Sequence, residues 1–463
     1  MRFRSALEDQ IFMVLRKYVG GTVRRKEDPR LITGSSTYVD DLKLPNMVHV
    51  AIVRSTYPHA EITGIDASAA LEMPGVIRVL TADDLKPLLP GKYSGVGSGA
   101  GPAAEGGPAE DDGKIPVPGV EPLASSRVRH VGEPIAAVVA ETRLQAIDAA
   151  EAVVVEYTPL PALVDPYEAR QDGAPLIYDT NPNNISTRQH TVVGNADAAF
   201  ASAPVKVKAK IRATRCHPVP METRGCVAAK DGITGGLTIW VSNQGPHGFR
   251  NEVASAFGFN QNQVRTVAPE VGGGFGAKFG VYPEDYVVCA AALLLDRPVK
   301  WIESRSEHFL VTNHGRNQIG EFEVGADTNG KLLSLKGRVI LDSGSYPKGL
   351  GLAWGTWVMS QGPYHVPDFD FMVEGVYTNT GVNGAYRGAG RPEATFYLER
   401  LMDMVADEAG LDPLDVRRVN FIQPDEFPFT THTGEHYDTG EYEKPMDRAM
   451  ELFGYAELRK EQE

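Results

Sequence analysis

Residues 269–278, Pro-Glu-Val-Gly-Gly-Gly-Phe-Gly-Ala-Lys, put four glycines into ten positions. Without a Cβ, glycine accepts positive φ angles and lets the backbone come into contact with a ligand. Set between a strand and a helix, such a stretch presents bare N–H groups to an anion or a flat polar molecule. A second glycine cluster spans residues 381–391, Gly-Val-Asn-Gly-Ala-Tyr-Arg-Gly-Ala-Gly-Arg. It carries Arg387 just ahead of a candidate helix start at Pro392, where a guanidinium suits anionic oxygens. Gln244 closes an alternating apolar run, residues 237–242, and offers a neutral amide that donates a hydrogen bond without giving up its proton. Two glycine loops and a strand-end glutamine point to one large, flat, polyanionic ligand held mostly by backbone. Each residue also has a plainer use. The first loop reads as a tight turn that binds nothing, Phe275 as a core ring, Gln244 as a strand-end cap, and Arg387 as a surface charge paired with Glu393.

Gly272-x-Gly274-x-x-Ala277 also fits the dinucleotide fingerprint, with Glu303 closing a later strand, so a nicotinamide dehydrogenase is a rival reading. Two features weigh against it. The last small residue of that fingerprint lies inside its helix, whereas Pro283 places the helix start later here. Glu303 also lies beyond the usual spacing of about 20 residues. A phosphate P-loop is excluded, because Lys278 follows Ala277 and no Ser or Thr comes after it.

The elements that must position these residues alternate along the chain. Residues 47–53, 76–80, 135–140 and 153–157 read as strands. Thr142 with Gln145 makes a capping box for a helix over residues 143–151. Further strands are expected over 205–213, 237–242, 299–303, 319–324 and 332–342, the last two joined by the hairpin-type turn Asp327-Thr-Asn-Gly330. Helical runs cover 249–257 and 284–296, and another opens at Pro392 and stops at Gly410. Residues 89–122, rich in Gly, Pro, Ala and acid, read as a long lid-like or mobile loop. This is an α+β chain. The expected divisions are an N-terminal extension at 1–17, with Met13 an alternative start, then units at 18–168, 169–410 and 411–463.

The 463 residues carry 60 Asp and Glu against 46 Lys and Arg, a net charge of −14 that disfavours nucleic acid and anionic membranes as partners. Cys216, Cys226 and Cys289 are scattered without a C-x-x-C pair, so no zinc ribbon or iron–sulfur cluster is expected in this chain. Sparse cysteine and a charged N-terminal stretch fit a cytoplasmic protein. No apolar run is long enough to span a membrane.

Several ordered motifs together carry a resemblance. Glu27-Asp-Pro-Arg-Leu31, Tyr38-Val-Asp-Asp41 and Gly132-Glu133-Pro134 come first. Gln244-x-Pro-His247, the loop 272–278, Arg297-Pro-Val-Lys-Trp301, His314-Gly-Arg316 and Ala385-Tyr-Arg-Gly-Ala-Gly-Arg391 follow. The chain resembles the molybdopterin-binding large subunit of the xanthine dehydrogenase and aldehyde oxidase superfamily, most nearly its carbon monoxide dehydrogenase-like members. The resemblance implies an α/β hammerhead domain, a mixed α/β molybdopterin-binding domain and the start of a second one. It implies that Gln244 hydrogen-bonds the apical oxo group of molybdenum. Gly274, Phe275 and Gly276 would offer N–H groups to metal and pterin, and Arg387 would serve anionic cofactor oxygens. The metal is held through the pterin dithiolene, with no protein ligand, and the cofactor is expected in its cytosine dinucleotide form. His247 and His314 are weaker candidates.

The departures matter too. Carbon monoxide dehydrogenases carry a copper-binding cysteine where this chain has Gly388, followed by Ala389 and Gly390. Purine-oxidising members carry a glutamate where it has Phe279. The family's catalytic glutamate lies in a Gly-x-Gly-Glu segment past residue 463, and neither Glu133 nor Glu435 stands in that context. The resemblance therefore implies the N-terminal half of a molybdenum hydroxylase large subunit acting on an aldehyde or aromatic N-heterocycle. The expected partners are a C-terminal half, a [2Fe–2S] small subunit and an FAD-binding medium subunit. A cofactor-binding relative that has lost its base remains the non-catalytic alternative.

Overall fold

The computed structural model describes residues 21–91 and 115–462. The expected extension at 1–17, the alternative start at Met13 and most of the 89–122 loop lie outside the described residues. Six strands build the N-terminal part: β1 (Val48–Arg54), β2 (Ala60–Asp66), β3 (Val76–Leu80), β4 (Arg127–Val128), β5 (Pro134–Ala140) and β6 (Val154–Pro159). Nine more follow up to residue 377: β7 (Ile185–Val193), β8 (Val205–Ala213), β9 (Gly225–Lys230), β10 (Leu237–Val241), β11 (Val264–Val267), β12 (Val299–Ile302), β13 (Gln318–Ala326), β14 (Leu332–Gly344) and β15 (Asp368–Tyr377).

Three sheets organise these strands. β4, β2 and β6 form a small antiparallel sheet. The largest sheet runs β11-β10-β9-β12-β1-β5-β3. Its joint is the parallel pair β1 and β12, in register at Val48 with Val299 and His49 with Lys300. The N-terminal part and the glycine-loop part thus share one sheet across the expected division at 168. All seven residues of β5 are buried, because alternate side chains enter different cores. Ala137 and Val139 join the core under the helices Pro246–Phe257 and Pro283–Leu295. Ala136 and Val138 meet Ala149 of the helix Arg143–Glu151.

The five-stranded sheet, β7-β15-β14-β13-β8, is antiparallel except for the parallel pair β14 and β15. One face is covered by the helices Leu350–Val358 and Arg391–Ala409. Tyr397, Leu398, Leu401, Met402 and Val405 of the latter enter its core. Gly410 closes that helix in the left-handed conformation at φ 68°, as the Gly stop predicts. Val416 and Phe421 enter this same core, so the chain just past 411 packs as part of this unit. Among the described residues no helix is long and apolar enough to cross a membrane.

Candidate functional site

Gln244 follows the C-terminal end of β10, and the glycine loop 269–278 lies between β11 and the helix Pro283–Leu295. The two are sewn together. Gln244 N–H donates to the Lys278 carbonyl at 2.8 Å. Its side-chain Oε1 accepts from Gly276 N–H at 2.9 Å and from Lys278 N–H at 3.3 Å. With the oxygen engaged twice, the amide Nε2 has no partner among the described residues, and Gln244 is exposed. Asn243, buried, donates to the Gly280 carbonyl at 2.8 Å and accepts from Gly245 N–H at 2.8 Å. A Cβ on Gly274 would lie 2.4 Å from Gln244 Oε1, so this contact requires glycine.

Glu222 anchors the other side of the loop. Its Oε2 accepts from Gly272 N–H at 2.8 Å, Ser242 Oγ at 2.5 Å and Lys278 Nζ at 2.7 Å. Burial lowers the Lys278 ammonium pKa and the Glu222 carboxylate opposes that shift. Lys278 is thus a buried strut, not a ligand for solvent-side anions. The Tyr282 hydroxyl donates to the Ala277 carbonyl at 2.6 Å, with Asn313 Oδ1 2.5 Å from the same oxygen. The Arg224 guanidinium lies 3.9 Å from the centre of the Tyr282 ring.

The second glycine loop meets the first edge to edge. Arg387 N–H donates to the Phe275 carbonyl at 2.8 Å. Gly276 sits at φ 101°, and a Cβ there would lie 2.3 Å from the Ala385 carbonyl oxygen. Asn313 Nδ2 donates to that same carbonyl at 3.1 Å. Gln244, Phe275 and Arg387 are all exposed, and Phe275 holds φ 54°. A non-glycine residue in that region is sparsely populated and clusters at functional sites.

Three expectations change on this geometry. The Gly276 N–H is spent on Gln244, whereas the N–H groups of Gly274 and Phe275 have no internal acceptor among the described residues. Glu393 stands 3.5 Å from Arg316, not against Arg387, which has no ion pair among the described residues. The nicotinamide reading fails. Ala277 lies outside the helix, which begins at Pro283. Glu303 is buried at 2% exposure on Arg224, His308 and Thr312, with no face left for a ribose.

The two histidines do not join the site in the same way. His247 is exposed. His314 is held neutral, its pKa pushed down to about 4 by burial and by Arg215, whose Nη1 lies 3.2 Å from Nδ1. Glu133 is buried on the Tyr346 hydroxyl at 2.7 Å. Glu222, Asn243, Tyr282 and Asn313 were not visible as site residues in the sequence. Glu222 lies 50 residues from Gly272, and no local motif marks it.

Residues 177–421 match the molybdopterin cofactor-binding domain, and residues 33–161 match the aldehyde oxidase and xanthine dehydrogenase a/b hammerhead domain. The chain belongs to the aldehyde oxidase and xanthine dehydrogenase family. It is 37% identical over 461 residues to the carbon monoxide dehydrogenase large chain of Hydrogenophaga pseudoflava, covering 94% of this chain and 54% of that one. Among solved structures, quinoline 2-oxidoreductase from Pseudomonas putida 86 superposes with a TM-score of 0.88 at 34% identity, over 96% of this chain and 55% of that one. The chain therefore spans about half the length of these relatives. It is also 30% identical over 444 residues to the nicotinate dehydrogenase large molybdopterin subunit of Eubacterium barkeri, and here it covers 95% of the relative and 92% of itself.

Proposed function

We propose that this chain is the molybdopterin-binding half of the large subunit of a molybdenum hydroxylase, one that oxidises an aldehyde or an aromatic N-heterocycle with water as the oxygen source. The observation that carries the reading is the joint between the two glycine loops. It brings the exposed residues Gln244, Phe275 and Arg387 together, with Gly274 buried just behind Phe275. These are neutral and cationic donors with no carboxylate among them, a set that fits an anionic pterin with its oxo groups. Gln244 Nε2 would donate to an oxo group, the two loop amides to the pterin, and Arg387 to phosphate oxygens of the cytosine dinucleotide form. When bound, the cofactor supplies the two-electron chemistry at the substrate carbon. This chain's own residues orient it and hold donors at fixed places.

A carboxylate base within about 3 Å of the reacting water is still required. We assign it to a second half of the large subunit. The match of this chain to nearly the full length of the nicotinate dehydrogenase large molybdopterin subunit supports a separately encoded half. The free cysteines Cys216, Cys226 and Cys289 provide no cluster site, so in this reading [2Fe–2S] and FAD belong on small and medium subunits; the proposed setting of the assembly is the cytoplasm.

The test is to purify the chain alone and co-expressed with a candidate second half and redox subunits. Molybdenum and cytosine nucleotide are then measured, with aldehyde and heterocycle turnover. The complex is expected to hold about one molybdenum per chain and to turn over, and the lone chain to be inactive. Turnover by the lone chain at the rate of the complex would refute the assignment of the base, and a complex without molybdenum would refute the whole reading.

A further inference from the structure

The His314-Gly-Arg316 stretch has no assigned part in the site so far, yet it runs alongside the second glycine loop. His314 forms an isolated β-bridge with Asn383. His314 N–H donates to the Val382 carbonyl at 3.0 Å, and Gly384 N–H donates back to the His314 carbonyl at 2.7 Å. Gly315 comes so close that an added Cβ would lie 2.4 Å from Tyr386 Cβ. Arg316 and Asn317 then hold φ 64° and 59°, two successive left-handed residues that are not glycine. Such strain persists only where the surroundings over-determine it. Asn383 Nδ2 donates to the Arg316 carbonyl at 2.8 Å, and Asn317 Nδ2 to Asp342 at 2.7 Å.

This backbone aims one side chain. Arg316 Nη1 donates to the Tyr386 carbonyl at 2.9 Å and Nη2 to the Arg387 carbonyl at 2.9 Å. The guanidinium lies 4.9 Å from the centre of the Tyr386 ring. Glu393, at 1% exposure, places Oε2 3.5 Å from Arg316 Nη1. Neither of its oxygens has a hydrogen-bond partner among the described residues. Burial pushes the Glu393 carboxyl pKa up, and Arg316 pulls it back.

We infer that Arg316 is the positioning residue of the second cofactor loop. It grips the carbonyls of Tyr386 and Arg387 together, which keeps the Arg387 N–H on the Phe275 carbonyl and sets the Arg387 side chain at the joint. Glu393 is the buried counter-charge that holds the grip. The planar fork reaches two carbonyls and a ring at once, which the point charge of a lysine does not do. The role rests on the proposed cofactor site, but the grip itself is a property of the protein.

Arg316→Lys and Glu393→Gln are made in the full complex, and amide hydrogen exchange over residues 384–390 is read beside molybdenum content and melting temperature. Arg316→Lys is expected to speed exchange of the Arg387 amide about tenfold or more, as a locally opened segment does. Molybdenum per chain falls at the same time, while the melting temperature stays near wild type. Glu393→Gln moves both readouts the same way by less. Unchanged exchange at Arg387 in Arg316→Lys overturns the grip. Faster exchange with full molybdenum overturns its link to the cofactor. Wild type without molybdenum, but with the exchange effect intact, overturns the cofactor reading and leaves the grip standing. If Arg316→Lys does not fold, Glu393→Gln decides by the same two readouts: no change in exchange overturns the proposal.

Discussion

Gly276→Ala is the smallest change that tests the joint between the loops. At φ 101° a Cβ is strained, by about 1–3 kcal/mol. The new methyl also lies 2.3 Å from the Ala385 carbonyl oxygen and 2.7 Å from its carbon, and overpacking of that kind adds about 1–3 kcal/mol. The neighbour is backbone, so it does not swing aside as a flexible side chain does. Two hydrogen bonds are at stake: Arg387 N–H to Phe275 crosses the joint, and Gly276 N–H to Gln244 holds the first loop to the strand end. Together they are worth about 1–3 kcal/mol. The strain of about 2–6 kcal/mol therefore matches or exceeds what keeps the loops together. The expected result is that the loops part and the rest of the fold survives, with a global loss limited to about 1–3 kcal/mol. In the complex, molybdenum and pterin content fall to near zero while circular dichroism is unchanged. Gly410→Ala is the control. It also holds a positive φ, 68° in the left-handed region, and meets nothing within 4 Å. It should lower the melting temperature without touching cofactor content. A folded Gly276→Ala complex with full molybdenum would show that the close approach of the loops is not part of the site.

Three further outcomes are expected. Arg224→Gln removes the guanidinium that the buried carboxylates Glu284 and Glu303 share at 3.0 and 2.6 Å, leaving Glu284 to Arg54 and Glu303 to His308 and Thr312; a loss of about 3 kcal/mol should appear in denaturant unfolding, and a loss under 1 kcal/mol would mean the network is solvated. Stability should also depend on pH through two neighbours of opposite sign. Glu284 is desolvated, but Arg224 and Arg54 win and hold its pKa at about 2, so its contribution is present above pH 4.5 and is lost as pH falls toward 2. Burial pushes Asp285 up to about 7, so stability falls as pH rises from about 4 to about 7; Asp285→Asn should flatten that upper limb only, and an unchanged limb would remove Asp285 as its cause. Finally, Gly388 offers no thiolate for copper, so the complex should hold no stoichiometric copper and reduce no dye with carbon monoxide; one copper per molybdenum with carbon monoxide-dependent reduction would overturn this.

Local patterns in the chain made several elements legible. β3 lies at 76–80 as the apolar run indicates, and Thr142 does cap the helix Arg143–Glu151, accepting from Gln145 N–H at 3.3 Å. The Asp327-Thr-Asn-Gly330 turn joins β13 to β14, with Gly330 at φ 79°. β7 and β15 were not visible. β7, Ile-Ser-Thr-Arg-Gln-His-Thr-Val-Val, is interrupted by polar residues because its central side chains pair with the next strand: Arg188 with Glu374, while His190 meets Asp370. β15 loses its alternation because its last five residues are all buried. The pairing of β1 with β12 was also hidden, because it spans about 250 positions, beyond any local pattern.

The site shows the same split between local and distant information. Both glycine loops and Gln244 announce themselves, because close approach and positive φ demand particular residue types locally. What holds them does not. Glu222, Tyr282, Asn313 and Arg316 are ordinary residues whose role comes from contacts with chain far away, such as the 70 positions between Arg316 and the Tyr386 carbonyl. The contacting strip is assembled from exposed groups that spend their inner atoms on each other. Gln244 gives its oxygen to the loop and Arg387 gives its backbone N–H to Phe275, while the Gln244 nitrogen and the Arg387 side chain are both unpaired among the described residues. A surface that only turned the chain would have no reason to order donors in this way, because solvent satisfies exposed groups at no structural cost. Fixed donors on one side, with no carboxylate among them, are what the proposed cofactor site asks of this chain, and the same proposal asks the base of a second half.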